Sequence, residues 1–290
     1  MTTRRGFLEL GAKVAAAGCV LGRGSYALPP VTKVPGMTYG VQMFMVRRQA
    51  ATDLAGAFRA IKKAGFDQVE LYPIAYKQPA AALKQMLGDT GLTSVAGHFD
   101  YTGRAMSVEY AHALGLKYLV CPMLPKEQWG SLDGFKQAAE YFSQWAEATH
   151  KAGMQFAFHN HDYEFKPMSG STGFAELMRG TDAKLVKLEM DVYWLTQGGQ
   201  DPAAMLAKYA DRAVLLHMKD REAGAPVSYD MEKGAEHFRE LGKGSLDWPG
   251  LLAQARRQGI RYAFLDQDET AGPVEESMKA SRDYLRTIKG

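Results

Sequence analysis

Two cysteines in 290 residues leave little scope for covalent bracing. If Cys19 is removed with the N-terminal segment, Cys121 stands alone and no disulfide can form, so stability must come from the core. Net charge is equally scarce. The formal value is +3, but residues 1–27 hold Arg4, Arg5, Lys13 and Arg23 against Glu9 alone, and four positive charges less one account for all of it. A body near neutrality gives no electrostatic case for binding nucleic acid or an anionic membrane. Long apolar runs are missing too, and Val14 to Leu21 is too short to span a bilayer stably. No glycine-rich phosphate loop follows the first strand-like run, and there is no low-complexity segment and no sign of a second domain. What remains, 46% hydrophobic and 23% charged, is the composition of an ordinary globular protein.

The N-terminus carries Thr3-Arg4-Arg5-Gly6-Phe7-Leu8, a twin-arginine pattern, then the apolar stretch to Leu21 and small residues at Ser25-Tyr26-Ala27. This reads as an export signal over residues 1–27 with cleavage after Ala27, giving a periplasmic protein. Lipid attachment at Cys19, after Ala17-Gly18, is the alternative, for which Ala16 is a poor lipobox residue. Residues 28–37, with Pro29-Pro30, read as a non-helical linker. Residues 38–290 form the folded body.

In that body, helix-like stretches alternate with short apolar runs. Eight runs are expected as strands: Tyr39–Phe44, Gln68–Tyr72, Leu92–His98, Tyr118–Pro122, Met154–His159, Leu185–Asp191, Ala213–His217 and Ile260–Asp266. The first carries Gln42. The others end at or near Glu70, His98, Cys121, His159, Asp191, His217 and Asp266. Helices are expected over Leu54–Ala64, Ala80–Leu87, Met106–Leu114, Leu132–Ala152, Phe174–Arg179, from Pro202, over Trp248–Gln258 and over Val274–Ile288. Continuous apolar strands are those of a parallel sheet buried on both faces. Eight units fit a closed ring, so the fold class is α/β, a single (β/α)₈ TIM barrel. Its active site lies at the C-terminal ends of the strands. Lys219 to Gly244, with little periodicity, is expected to be a functional loop over the mouth.

Four of the seven histidines, His98, His159, His161 and His217, fall at or just past strand ends, as do Asp191 and Asp266. Two imidazoles and two carboxylates brought to one axis suit Mn²⁺, Zn²⁺, Co²⁺ or Fe²⁺, and Mg²⁺ is retained as a further option. His159 and His161 share a facing in extended chain, so either can be the ligand. Asp191 can instead cap the next turn, and Glu189, of the same parity, can sit inside the barrel in an ion pair. Lys219 faces with His217 and is placed to stabilise an enolate oxygen, unless it forms a surface pair with Asp220. Asp266 and Asp268 share a facing, and either can be the reactive carboxylate. Glu164 and the remaining imidazole are acid/base candidates. Gln42, His98, Trp194 and Glu70 are candidate substrate contacts, although Glu70 better suits a structural acceptor and Trp194 equally suits ordinary packing. Cys121 reads as an apolar filler.

At these segments the chain resembles the xylose isomerase-like TIM barrel family, often labelled sugar phosphate isomerases/epimerases. The resemblance covers nearly all of residues 38–288. It rests on Gly40-Val-Gln-Met-Phe, Val69-Glu-Leu-Tyr, His159-Asn-His-Asp-Tyr-Glu-Phe, Asp191-Val-Tyr-Trp, His217-Met-Lys-Asp, Gly242-Lys-Gly-Ser-Leu-Asp-Trp248 and Asp266-Gln-Asp268. It implies one divalent ion held from strands five to eight by His159, Asp191, His217 and Asp266. At strands five and eight the family more often has glutamate, so Asp266 is one methylene short. The resemblance also implies proton transfer α to a carbonyl on an unphosphorylated sugar or polyol, as in an isomerase or epimerase. The alternatives are a keto-glycoside lyase or hydrolase, a keto-inositol dehydratase, and a non-catalytic sugar-binding barrel. A small-molecule sugar or glycoside is the implied partner, with a homodimer implied by family habit alone. The related repair endonucleases fit poorly with export and a neutral surface. Because twin-arginine export moves folded proteins, metal loading is expected before export. Denatured protein should therefore fail to take up metal unaided on refolding in a periplasm-like buffer, and measured uptake there would refute this.

Overall fold

The computed structural model describes residues 36–288. The expected export signal, Cys19 and most of the expected linker lie outside the described residues. Eight parallel strands form one sheet: β1 (Thr38–Gln42), β2 (Gln68–Glu70), β3 (Ala96–His98), β4 (Tyr118–Cys121), β5 (Gln155–His159), β6 (Val186–Asp191), β7 (Ala213–Met218) and β8 (Tyr262–Leu265). Each neighbours the next, and β8 pairs with β1. Between β2 and β3 the ring is closed by Leu71, whose N–H donates to the Ala96 carbonyl at 3.1 Å and whose carbonyl accepts from His98 N–H at 2.8 Å. The TIM barrel read from the sequence is the fold.

The helices are α1 (Leu54–Lys63), α2 (Ala80–Thr90), α3 (Arg104–Leu114), α4 (Leu132–Lys151), α5 (Gly173–Arg179), α6 (Val192–Gln197), α7 (Pro202–Lys208), α8 (Trp248–Arg257) and α9 (Val274–Thr287). Asp53, Ser131, Thr172, Asp201 and Asp247 accept backbone N–H bonds at the starts of α1, α4, α5, α7 and α8. Gly65 and Gly259 follow α1 and α8 in the left-handed region, φ 93° and 94°. Phe135, Phe142 and Trp145 of α4 are fully buried, and Phe142 and Trp145 each pack 5.2 Å from the Phe156 ring of β5. Burying each such side chain contributes about 1.5–3 kcal/mol.

Three expectations need correction. The first strand stops at Gln42, not Phe44, because the Gln42 side chain accepts from Phe44 N–H and turns the chain into a 3₁₀ segment. Val192–Gln197 is helix α6, which the sequence reading lacked. The stretch after β7 is ordered: Asp220–Arg221 pairs antiparallel with Phe238–Arg239, and a single helical turn spans Met231–Gly234. Asp220 holds this arm by accepting from the N–H groups of Arg221, Gly242, Gly244 and Leu246. No helix among the described residues is long and apolar enough to cross a membrane.

The barrel interior is layered. A small apolar plug of Val95, Val120, Ala157, Leu215 and Phe264 forms one cluster. On the same inward parity, towards the strand ends, stand Gln42, Glu70, His98, His159, Glu189 and His217, all nearly or fully buried. Gly40 lies against this plug, and a Cβ there would stand 2.6 Å from Phe264 Cδ1 and 2.9 Å from Gln68 Cβ. Gly40→Ala should therefore cost about 1–3 kcal/mol by overpacking, read as a lowered denaturation midpoint. An unchanged midpoint would show that the plug can yield.

Candidate metal centre

A charged group at the axis of a barrel has to be paired. Glu189 Oε2 lies 2.8 Å from His98 Nε2, 3.2 Å from His159 Nδ1 and 3.1 Å from His217 Nε2. Glu70 Oε2 accepts from Gln42 Nε2 at 2.8 Å and lies 2.6 Å from His217 Nε2. A register shift between β6 and β7 at Leu188/Glu189 sets Glu189 opposite Leu215 and Asp191 opposite His217.

Above this layer stands a second group. His217 Nδ1 is 3.1 Å from Asp266 Oδ2 and 3.8 Å from Asp191 Oδ2, and His159 Nε2 is 3.8 Å from Asp191 Oδ2. One ligand atom each from His159, Asp191, His217 and Asp266 falls within 4.8 Å of the others. Asp191 divides its labour. Its Oδ1 caps α6 by accepting from Trp194 N–H at 2.9 Å, and Oδ2 is buried with no hydrogen bond. Asp266 Oδ1 is likewise buried without one. Two buried carboxylate oxygens without a hydrogen bond and two imidazoles are of the kind that holds a divalent ion, so the residues present fit one. Lys219 already supplies a cation here: its Nζ lies 3.1 Å from Asp191 Oδ2, 2.7 Å from Asp266 Oδ2 and 3.1 Å from Asp268 Oδ1.

Over its length, the chain matches one family model across residues 58–288, described as a xylose isomerase-like TIM barrel. The chain belongs to that family. It is similar to the inosose dehydratase of Clostridium beijerinckii, 25% identical over 206 residues that span 63% of this chain and 68% of that protein. A crystal structure of a sugar phosphate isomerase/epimerase from Parabacteroides distasonis superimposes with a TM-score of 0.72 at 23% identity, covering 88% of this chain and all of that one. The IOLI protein with a bound zinc atom superimposes at 0.68 with 14% identity, over 87% of this chain and 98% of that one. These likenesses to solved structures carry the fold.

On this xylose isomerase-like barrel a cavity of about 230 Å³ adjoins the upper group. Its polar lining is Gln42, His98, Asp100, His159, His161, Asp266 and Asp268, and its apolar lining includes Phe44, Tyr72, Tyr101, Met123 and Met231. Both neighbouring histidines line the cavity; His159 joins the carboxylates, whereas His161 does not, and its Nδ1 is buried without a hydrogen bond. Four expected contacts lie elsewhere. Glu70 is wholly buried and serves as an interior acceptor. Trp194 is 1% exposed because Gly234 from the arm covers it, and Lys219 Nζ stands 5.4 Å from its ring centroid. Its flat face meets an ammonium group, not a sugar. Lys219, also 1% exposed, is sealed between three carboxylates, Trp194 and Phe238, and acts through Asp266 and Asp268. Glu164 sits behind His161, whose backbone N–H it accepts at 3.0 Å. Glu189, Tyr72, Tyr101 and Asp100 were not singled out as site residues. Glu189 had a usable sign in its shared parity with Asp191, whereas the aromatic wall had none.

The electrostatics follow from burial. His159 is pushed down to about 3 by burial and by the charge of His217, so its imidazole is neutral. Burial also holds His161 well below the usual histidine range. Burial pushes Asp268 up to about 7, against the pull of Lys219. Asp162, just past His161, is buried with neither carboxylate oxygen hydrogen-bonded, and burial raises it from 3.8 to about 7, with Asp230 adding to the rise. A carboxyl raised by folding stays protonated in the native state where the unfolded chain is ionised. Its contribution is therefore fully present below about pH 4 and lost as pH climbs towards 7. Asp162→Asn should raise thermal stability over the natural chain at pH 8 and change it little at pH 4. Equal shifts at both pH values would refute the burial argument.

Proposed function

We propose that the chain is a divalent-metal-dependent enzyme that moves a proton α to a carbonyl on an unphosphorylated sugar or polyol. The observation that carries this reading is the gathering of His159, Asp191, His217 and Asp266 beside a cavity of about 230 Å³. A bound divalent ion would polarise the carbonyl and neighbouring hydroxyl oxygens of the substrate. The chain supplies the rest. His161, neutral and lining the cavity, is placed to take the proton from the α-carbon. Asp268, which lines the same cavity, is placed to give or receive the second proton. Lys219 holds positive charge behind Asp266 and Asp268 and opposes the build-up of negative charge in the well. Gln42 and His98, anchored below by Glu70 and Glu189, offer hydrogen bonds to hydroxyl groups. The twin-arginine motif supports placing this activity in the periplasm.

Isomerisation or epimerisation returns the proton to carbon. A lyase or dehydratase instead expels a β-substituent, and the inosose dehydratase relative favours keeping this second reading. Keto-sugars incubated in deuterium oxide separate them by mass spectrometry. α-Deuteration without loss of water or aglycone supports isomerisation, and loss with it supports elimination. Metal analysis tests the site itself. Asp191→Ala and His217→Ala should abolish bound metal, whereas His161→Gln should retain it and lower kcat by about 10²–10⁴-fold. Unchanged metal in the first two variants would refute the ligand set. Lost metal in the third would make His161 a ligand.

A further inference from the structure

His159 and His217 each stand between two sets of charges. Above, His159 Nε2 and His217 Nδ1 face Asp191 and Asp266. Below, His159 Nδ1 and His217 Nε2 face a single oxygen of Glu189, at 3.2 and 3.1 Å, and His98 Nε2 reaches the same oxygen at 2.8 Å. The lower set, His98, His159, Glu189 and His217, is by spacing alone as able to hold an ion as the upper one. A neutral imidazole has one lone pair and one N–H. Ions in both sets would require both shared rings to lose their last proton, so the two positions exclude each other. The upper position leaves each shared ring with a proton and an acceptor for it, namely Glu189, joined under His217 by Glu70 at 2.6 Å. Of the lower set Glu189 is wholly buried, whereas Asp266 of the upper set lines the cavity, so the upper position is the one whose carboxylate meets the cavity.

We infer that Glu189, supported by Glu70, is a positioning carboxylate: it accepts Nδ1–H of His159 and Nε2–H of His217, and so turns the opposite nitrogen of each ring to the cation. This rests on the metal reading given under Proposed function. Such partners behind a ligand imidazole commonly govern metal affinity by 10–100-fold.

The test uses the full-length natural chain with ¹⁵N-labelled histidine and Zn²⁺, read by long-range ¹⁵N–¹H correlation. His159 should carry its proton on Nδ1 and His217 on Nε2, and the opposite tautomer of either ring overturns the inference. Zn²⁺ affinity by chelator competition gives a second readout. Glu189→Gln should bind one ion about 10–100-fold more weakly than the natural chain. Unchanged affinity, or loss of the ion as complete as in Asp191→Asn, overturns the inference, in the second case by making Glu189 a ligand. The tautomer measurement stands if Glu189→Gln does not fold. A natural chain that takes up no Zn²⁺, Mn²⁺ or Co²⁺ overturns the metal reading itself, and this inference with it.

Discussion

Glu189 is a carboxylate at the axis of a parallel barrel, beyond the reach of water, and the surrounding structure answers to that fact. An ion in such a place is tolerated only with close, well-aligned partners. Three imidazoles from β3, β5 and β7 provide them. To do so the strands must end level with one another, and the register shift beside Glu189 brings β6 and β7 into line. Glu70 and Gln42 extend the network to β1 and β2, which meet at Gln42 opposite Glu70. The apolar plug beneath excludes water from below. The polar layer thus ties the ring together and sets the direction of every imidazole that looks upward.

The upper group inherits this order. His159 and His217 are oriented from beneath. Asp191 is fixed by its cap on α6, and Asp266 follows β8 with its N–H donating to the Met218 carbonyl at 3.1 Å. Lys219 balances the three aspartates. With burial lowering His159 and raising Asp268, the centre combines a neutral donor with carboxylates of unequal basicity. Groups whose environments push their proton affinities apart are suited to divide acid and base duties.

Much of this was legible in the chain. Continuous apolar runs ending in Glu70, His98, His159, Asp191 and His217 marked strand ends to within a residue, because a parallel strand is buried on both faces and its first polar residue marks where cover ceases. The gathering of His159, Asp191, His217 and Asp266 followed from ring closure. Other features left no local trace. Trp194 looks like a sugar platform until Gly234, forty residues on, lies over it. The sealing of Lys219 leaves no local trace because its three carboxylates come from two distant strand ends. Val192-Tyr-Trp-Leu is too short for helical periodicity to rise above its apolar content, and only the Asp191 cap gave it away. Phe44, Tyr72, Tyr101 and Met231 meet at the cavity from four separate loops.

Asp220 grips the base of the arm through main-chain N–H groups alone, and main-chain groups are the same whatever side chains they carry. The intervening residues, from Glu222 to Glu240, add ties of their own, with Glu222 pairing to His237 and Arg239. They contribute Met231 to the cavity wall and Gly234 and Phe238 to the cover over Lys219. The cavity wall at Met231 and the cover over Lys219 thus hang from one carboxylate that stands outside the cavity lining.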